Sequence, residues 1–274
     1  ILKHEEVRPE RSDLMSRHLL AVEASSSPIS LTYKNDQYLS AAIGSCTLDE
    51  PVLTTENNEM KQTIWKVSGE AAEGLSKLVN EKTLYITDGH HRMAAAEEAL
   101  NSSNGNYEPL KWTQAVLFPD DEMLVLPFHR RVGDLEGRNS QDIFNAISTV
   151  CEIKKSEDAL PEQIGEVGVY LDGECYRMLL PESNKTNLVD QLDVARLQEH
   201  ILSLIFEVRD PGTHKLIDYV PGPLGQDVVK ERCDVDSWVA FLMHPLRIED
   251  LMEVAEAGEL MPPKSSYLMP KPRS

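Results

Sequence analysis

TLYITDGHHRMAAAEEAL, residues 83 to 100, is the stretch whose reading decides the fold. Its first five residues are β-branched or apolar and predict a strand. The alanine-rich end predicts a helix, and between them stand Asp88, Gly89, His90, His91 and Arg92. Gly89 permits the tight turn that such a corner needs. The first helical N–H groups have no intrahelical partner and carry partial positive charge, so an anion can dock on them. Arg92 adds a planar donor fork suited to phosphate or carboxylate, and His90 and His91 add donors that titrate near neutrality. Asp88 can cap the helix, orient an imidazole or hold a magnesium ion that a nucleotide brings. A cap with two packed histidines is the plainer alternative; five such residues in succession favour an anion site. Zinc is disfavoured, because adjacent histidines diverge and His-x-x-x-His spacing is absent. No Walker-type glycine loop and no Gly-x-Ser-x-Gly elbow occurs.

Working outward, residues 12–24 predict a helix capped by Ser12 or Asp13, with Leu14, Leu19 and Val22 near one face. PISLTY and TIWKV have strand character, and the polar residues 36–62 between them read as irregular, with TTENNEM an excursion. Ser68 caps a helix whose stripe is Ala71, Leu75, Leu78 and Val79. The corner helix stops near NSSNGN, and WTQAVLF and MLVLPF predict a hairpin closed by PDDE.

Beyond residue 135, NSQDIFNAISTV is a capped helix with Ile143, Phe144, Ile147 and Val150 inward. VGVYLDGECYRMLL is a hairpin turning at Asp172-Gly173. Val194, Leu197, Ile201, Leu204 and Ile205 recur at helical spacing. A strand at WVAFLM and a helix ending at Gly258 follow, then a proline- and lysine-bearing tail. The order is mixed, which predicts an α+β protein, divided into a part over 1–135 that carries the corner and a second α/β part over 136–274.

Three further groups can carry chemistry. PFHRRV brings His129, Arg130 and Arg131 to a strand end; alternation sends the two arginines to opposite faces, so at most one shares a pocket with His129. The alternative is a buried arginine paired with a surplus acid. MPPKSSY offers Lys264, Ser265 and Ser266 after a stiff Pro-Pro, either closing over a phosphate or forming a plain extension pinned by Tyr267 and Leu268. His4-Glu5-Glu6 supplies carboxylates for acid–base work, unless they are merely solvated.

Composition bounds these readings. Hydrophobic residues at 41% over 274 positions suffice for a folded core. Lys+Arg 27 against Asp+Glu 46 leaves a net charge of −19, which repels nucleic acid and acidic membranes and forces any phosphate site to be built locally. Four dispersed cysteines, Cys46, Cys151, Cys175 and Cys233, form no zinc spacing and predict a reduced, cytoplasmic setting. No apolar run approaches the roughly 20 residues of a membrane span, and no signal peptide is visible. The chain opens at Ile1 without methionine and reads as a fragment.

Taken together, DGHHR, PFHRR, the opening KHEE and the closing GELMPPKSSYLMPKP resemble the Domain of Unknown Function 1015 family over nearly the whole chain. Ser266 stands where that family commonly has threonine and Leu268 where an aromatic is usual, and the upstream portion of full-length members is absent. The family is similar to the ParB/sulfiredoxin-like superfamily and its free serine kinases. The resemblance therefore implies a ParB/sulfiredoxin-like first part and a nucleotide-dependent phosphotransferase acting on a small hydroxyl compound, free serine first among them. ATP or ADP with Mg2+ would be the donor. Asp88, His91 and Glu5 are the implied catalytic residues; Gly89, His90, Arg92, His129, Arg130, Lys264 and Ser265 would bind the nucleotide, with no protein-held metal. The alternatives are a non-catalytic nucleotide- or anion-binding module and an enzyme-derived interaction scaffold. Oligomeric state is not legible in the sequence.

Overall fold

The computed structural model describes residues 1–25, 27–56, 61–103, 107–133, 137–212 and 214–271. The tip of the 54–60 excursion, the end of the NSSNGN turn, the expected boundary at 135 and the last three residues lie outside them. The protein is a mixed α+β structure. Its elements run α1 (Pro9–Val22), β1 (Ile29–Tyr33), α2 (Gln37–Cys46), β2 (Leu53–Glu56), β3 (Lys61–Ile64), α3 (Gly69–Asn80), β4 (Tyr85–Asp88), α4 (His90–Ser102), β5 (Ala115–Pro119), β6 (Leu124–Val132) and α5 (Ser140–Ser148). There follow β7 (Glu152–Lys155), β8 (Glu166–Leu171), β9 (Glu174–Leu179), α6 (Leu188–Gln191), α7 (Asp193–Leu197), β10 (Ile217–Pro221), α8 (Gly225–Asp236), β11 (Val239–Met243), α9 (Ile248–Glu256) and β12 (Ser266–Met269).

Besides a two-stranded antiparallel ribbon of β2 and β3 there are two sheets, and the smaller of these has the order β4-β1-β5, with β1 antiparallel to β4 and parallel to β5. Every residue of β1 is buried, and Ile29, Leu31 and Ile86 form its core with Leu84, Met93 and Leu117 packed on them. α1 packs against α4. Each buries small residues, Ser12 and Ser16 on one and Ala95 and Ala99 on the other, which lets the helix backbones approach closely.

The larger sheet has the order β10-β6-β11-β8-β9-β7, antiparallel at each pairing. β6 is divided along its length: residues 124–127 pair with β12 and residues 128–132 with β10. One face packs Val132, Val169 and Phe241 with Ile143, Ile147, Leu197 and Ile201. The other packs Val220, Ala240 and Leu242 with Val229 and Cys233 of α8. α9 joins the two sheets: its Met252 and Ala255 pack on Tyr85, and its Leu251 and Val254 on Leu268. The Tyr85 hydroxyl donates to Glu256 Oε1.

The structure corrects several sequence expectations. β5 and β6 do not form a hairpin. Asp120 Oδ1 in the intervening turn accepts the Asn35 and Asp121 N–H groups at 2.9 and 3.0 Å, so the turn is tied to the chain after β1 and the strands enter different sheets. α1 begins at Pro9, whose missing N–H costs nothing at that position. Its inward side is the small-residue side, and Leu14 and Val22 are exposed. Residues 37–46, read as irregular, are helical because the Asp36 carboxylate accepts the Tyr38 and Leu39 N–H groups. After α7 the helix continues as a π-turn over Gln198–Ser203 that shifts its register, and Leu204 points to solvent. The tail, one reading of which is an extension pinned by Tyr267 and Leu268, pairs with β6 as β12, and Leu268 is buried. The Asp172-Gly173 turn does join β8 to β9, with φ of 52° and 80°. The four cysteines are unpaired, and no helix among the described residues is long and apolar enough to cross a membrane.

Candidate functional site at the β4–α4 corner

β4 ends at Asp88 and α4 starts at His90, with Gly89 between them at φ 96°. That backbone conformation is open to glycine, and the space above it is filled: a Cβ there would lie 2.9 Å from Arg92 Nη2. No side chain caps the helix, so its first N–H groups remain available to an anion.

The five corner residues separate by direction. His90 is buried and meets His4 edge to face, ring centroids 4.7 Å apart, with its Nδ1 3.7 Å from Glu5 Oε2. His91 turns the other way, and its Nε2 accepts the Arg8 N–H at 3.2 Å. Arg92 folds back over Gly89, donating from Nη2 to Asp88 Oδ2 at 2.7 Å and to the Pro28 carbonyl at 3.1 Å. The sequence pattern leaves this fork free for phosphate; in the structure it is engaged with Asp88, because the i,i+4 spacing brings the two together.

The C-terminal tail completes the corner. β12 runs along the first half of β6 and delivers Lys271 to Asp88 Oδ1 at 3.1 Å, with its ammonium 4.4 Å from the Tyr267 ring. The Lys264 ammonium stands 5.0 Å from the Phe128 ring, and the two aromatic rings meet edge to face at 5.7 Å. Sequence reasoning does not reach His4, Phe128, Tyr267 or Lys271 as members of this corner. The alternation of SYLM is the one sequence signal of β12, and it is too short to stand out from its proline flanks.

Electrostatics distinguish the two carboxylates. Burial pushes Glu5 above the usual carboxylate range, Lys264 and Lys271 pull it down, and Asp88 pushes it up. For Asp88 burial also acts upward, but the hydrogen bond from Arg92 and the charge of Lys271 outweigh it and hold the group low. Burial and the neighbouring His90 bring His4 down to about 3, and burial brings His90 down to about 4. Both imidazoles are neutral at pH 7. His4 Nδ1 and His90 Nε2 are buried without a hydrogen-bond partner among the described residues. His91 is lowered by burial, Arg11 and Arg8.

The remaining expected site residues lie elsewhere or are already engaged. His129 and Arg130 are consecutive on β6 and face opposite sides of the sheet. His129 Nδ1 accepts the Met243 N–H at 3.2 Å, and burial brings the ring down to about 4. Arg131, on the His129 side, pairs with Asp218 at 2.9 Å and with Asp236. Arg130 donates to the Phe128 and Lys264 carbonyls at 2.6 and 3.2 Å. Ser265 is buried, and its hydroxyl donates to the Pro262 carbonyl at 2.6 Å. Asp88 has both oxygens occupied, and no group of three or more His, Cys, Asp and Glu side chains among the described residues fits a metal ion.

Fold and site define a mixed α+β protein with a charged strand-to-helix corner closed by its own C-terminal strand. The chain belongs to the family described as "Protein of unknown function (DUF1015)", matched over residues 1–195. Among curated proteins nothing matches. Among solved structures, a mutant free serine kinase in complex with AMP is similar at 14% identity and TM-score 0.49, covering 98% of this chain and 83% of that one. SbnI with C-terminal truncation from Staphylococcus aureus is similar at 10% identity and TM-score 0.49, covering 100% and 80%. A conserved hypothetical protein from Pyrococcus furiosus is similar at 12% identity and TM-score 0.45, covering 98% and 86%.

Proposed function

We propose that this protein is a nucleotide-dependent phosphotransferase acting on a small hydroxyl compound, with ATP or ADP as donor and free serine as the first acceptor to test. One observation carries the reading: the uncapped α4 terminus, two lysines and a carboxyl raised by burial converge at the end of β4. Backbone N–H groups and ammonium groups are what a transferring phosphoryl group requires, since its chemistry is positioning and charge neutralisation. The α4 N–H groups hold the phosphates, and Lys264 and Lys271 offset the charge on the transferred group. Glu5 accepts the proton of the attacking hydroxyl as its oxygen bonds to phosphorus and the nucleotide leaves one phosphate shorter. Asp88, neutralised by Arg92 and Lys271, positions Lys271 and takes no proton. Magnesium enters as a companion of the nucleotide phosphates rather than in a protein cage. Calorimetry with ADP and ATP, with and without magnesium, tests the reading; no binding at millimolar nucleotide overturns it.

The commitment of Arg92 to Asp88 favours a second reading, a module that binds nucleotide without turnover. Phosphorus NMR of protein, nucleotide and serine or another small alcohol separates the two: a new phosphomonoester signal supports the enzyme, and binding without that signal supports the module.

A further inference from the structure

Arg130 is buried at 3% exposure, yet both of its hydrogen bonds among the described residues go to backbone carbonyls and neither partner is a carboxylate. Its neighbour Arg131 is buried to a similar degree and is held by two aspartates. A buried guanidinium without a paired acid is costly. Burial accordingly pulls Arg130 down to about 10, with Tyr219, its ring 5.7 Å away, acting against that shift. The same guanidinium joins its own strand to a segment 134 residues further along the chain: Nη1 reaches the Phe128 carbonyl and Nη2 the Lys264 carbonyl. Lys264 has φ 61°, a left-handed conformation that a lysine adopts only under constraint. The ring beneath its ammonium belongs to Phe128, the other residue whose carbonyl Arg130 holds.

The geometry points to Arg130 as a positioning residue that clamps the Phe128 and Lys264 backbones together and thereby fixes the Lys264 ammonium over the corner. It reassigns Arg130 from direct nucleotide contact to action through Lys264. The functional half of this inference rests on the phosphate role given to Lys264 above; the clamp itself rests on geometry alone. Arg130→Met keeps apolar bulk and removes every donor. Arg130→Lys keeps one donor in place of the fork.

The experiment combines amide hydrogen exchange over residues 264–266 with ADP affinity in the 274-residue chain. Exchange in that segment is expected to accelerate in Arg130→Met and to be partly restored in Arg130→Lys. ADP affinity should fall about tenfold in Arg130→Met when Lys264 is present, and by no more than roughly twofold in a Lys264→Ala background, the mark of residues acting as a unit. Unchanged exchange overturns the clamp. Accelerated exchange with fully additive affinity losses overturns the positioning role, since a merely structural arginine would act regardless of Lys264. Should Lys264→Ala leave ADP affinity untouched, the phosphate role of Lys264 falls and exchange alone decides the clamp. If Arg130→Met does not fold, Arg130→Lys carries both measurements.

Discussion

A carboxyl that burial raises against the downward pull of two ammonium groups is a better proton acceptor than one on a solvated surface, and Glu5 has that environment. Glu5→Gln preserves shape and removes the basic oxygen. Turnover of the proposed transfer should fall by at least about 100-fold, while ADP affinity stays within roughly threefold. Phosphorus NMR and calorimetry read the two quantities, and unchanged turnover would remove Glu5 from the chemistry. Arg92 behaves differently, since its fork joins Asp88 to the Pro28 carbonyl. Arg92→Lys cannot hold both, and because the pair is partly exposed the expected loss of stability is only about 1 kcal/mol in urea denaturation. A loss of nucleotide affinity beyond about tenfold in that variant, or about 1.4 kcal/mol, would restore direct phosphate contact. At this scale the corner is legible because Asp88 to Arg92 are contiguous and local chemistry declares itself. Their directions are not, since Arg92 turning onto Asp88 and His91 turning onto Arg8 depend on neighbours that the local string does not contain.

Among elements, those with strong propensity or periodicity are readable: α4 from its alanines, and α5, α9 with its Gly258 terminus and the β8–β9 hairpin from their patterns. What fails is pairing. Nothing in PDDE distinguishes a hairpin from a turn that sends β6 into another sheet, because the deciding contact is with Asn35, on a distant segment. β12 escapes notice for the same reason: its partner β6 lies far back in the chain, and Lys271 arrives at the corner only through that pairing. Close packing within an element gives a sharper test. Gly168 lies inside β8, where an added Cβ would stand 1.7 Å from the Ala159 carbonyl oxygen, a backbone atom that cannot swing aside. Gly168→Ala should therefore destabilise the protein by about 3 kcal/mol. Gly74 lies inside α3, where a Cβ would meet nothing within 4 Å, and Gly74→Ala should stabilise by about 0.5–1 kcal/mol through helix propensity. Urea denaturation of both variants checks the pair; equal effects would show that strand packing at β8 yields more readily than its geometry allows.

For the molecule as a whole, two electrostatic tendencies oppose each other as pH falls. A net charge of −19 and a pI near 4.8 mean that acid relieves self-repulsion, which favours the compact state. Against it stand three buried histidines, His4 brought down to about 3 and His90 and His129 to about 4, each chiefly by burial. Unfolded, each would bind a proton near pH 6.5; folded, each stays neutral to well below that. Between those limits the unfolded state holds more protons, so stability is present above about 6.5 and is lost as pH falls toward the folded values, by up to about 1.4 kcal/mol per pH unit for each histidine. Glu5 and Asp193 have the opposite sign, since their raised carboxyls take up protons in the folded state first, but they are two groups against three. Surface repulsion is screened within about 8 Å at physiological salt, whereas buried imidazoles are not, so the histidines should win. Urea denaturation at about pH 7, 6 and 5 should give falling stability, and raising the salt concentration should leave that slope in place. A flat or rising profile would mean that the His4–His90 pair takes up protons without unfolding, and the neutral, dry side of the corner on which Glu5 depends would have to be abandoned.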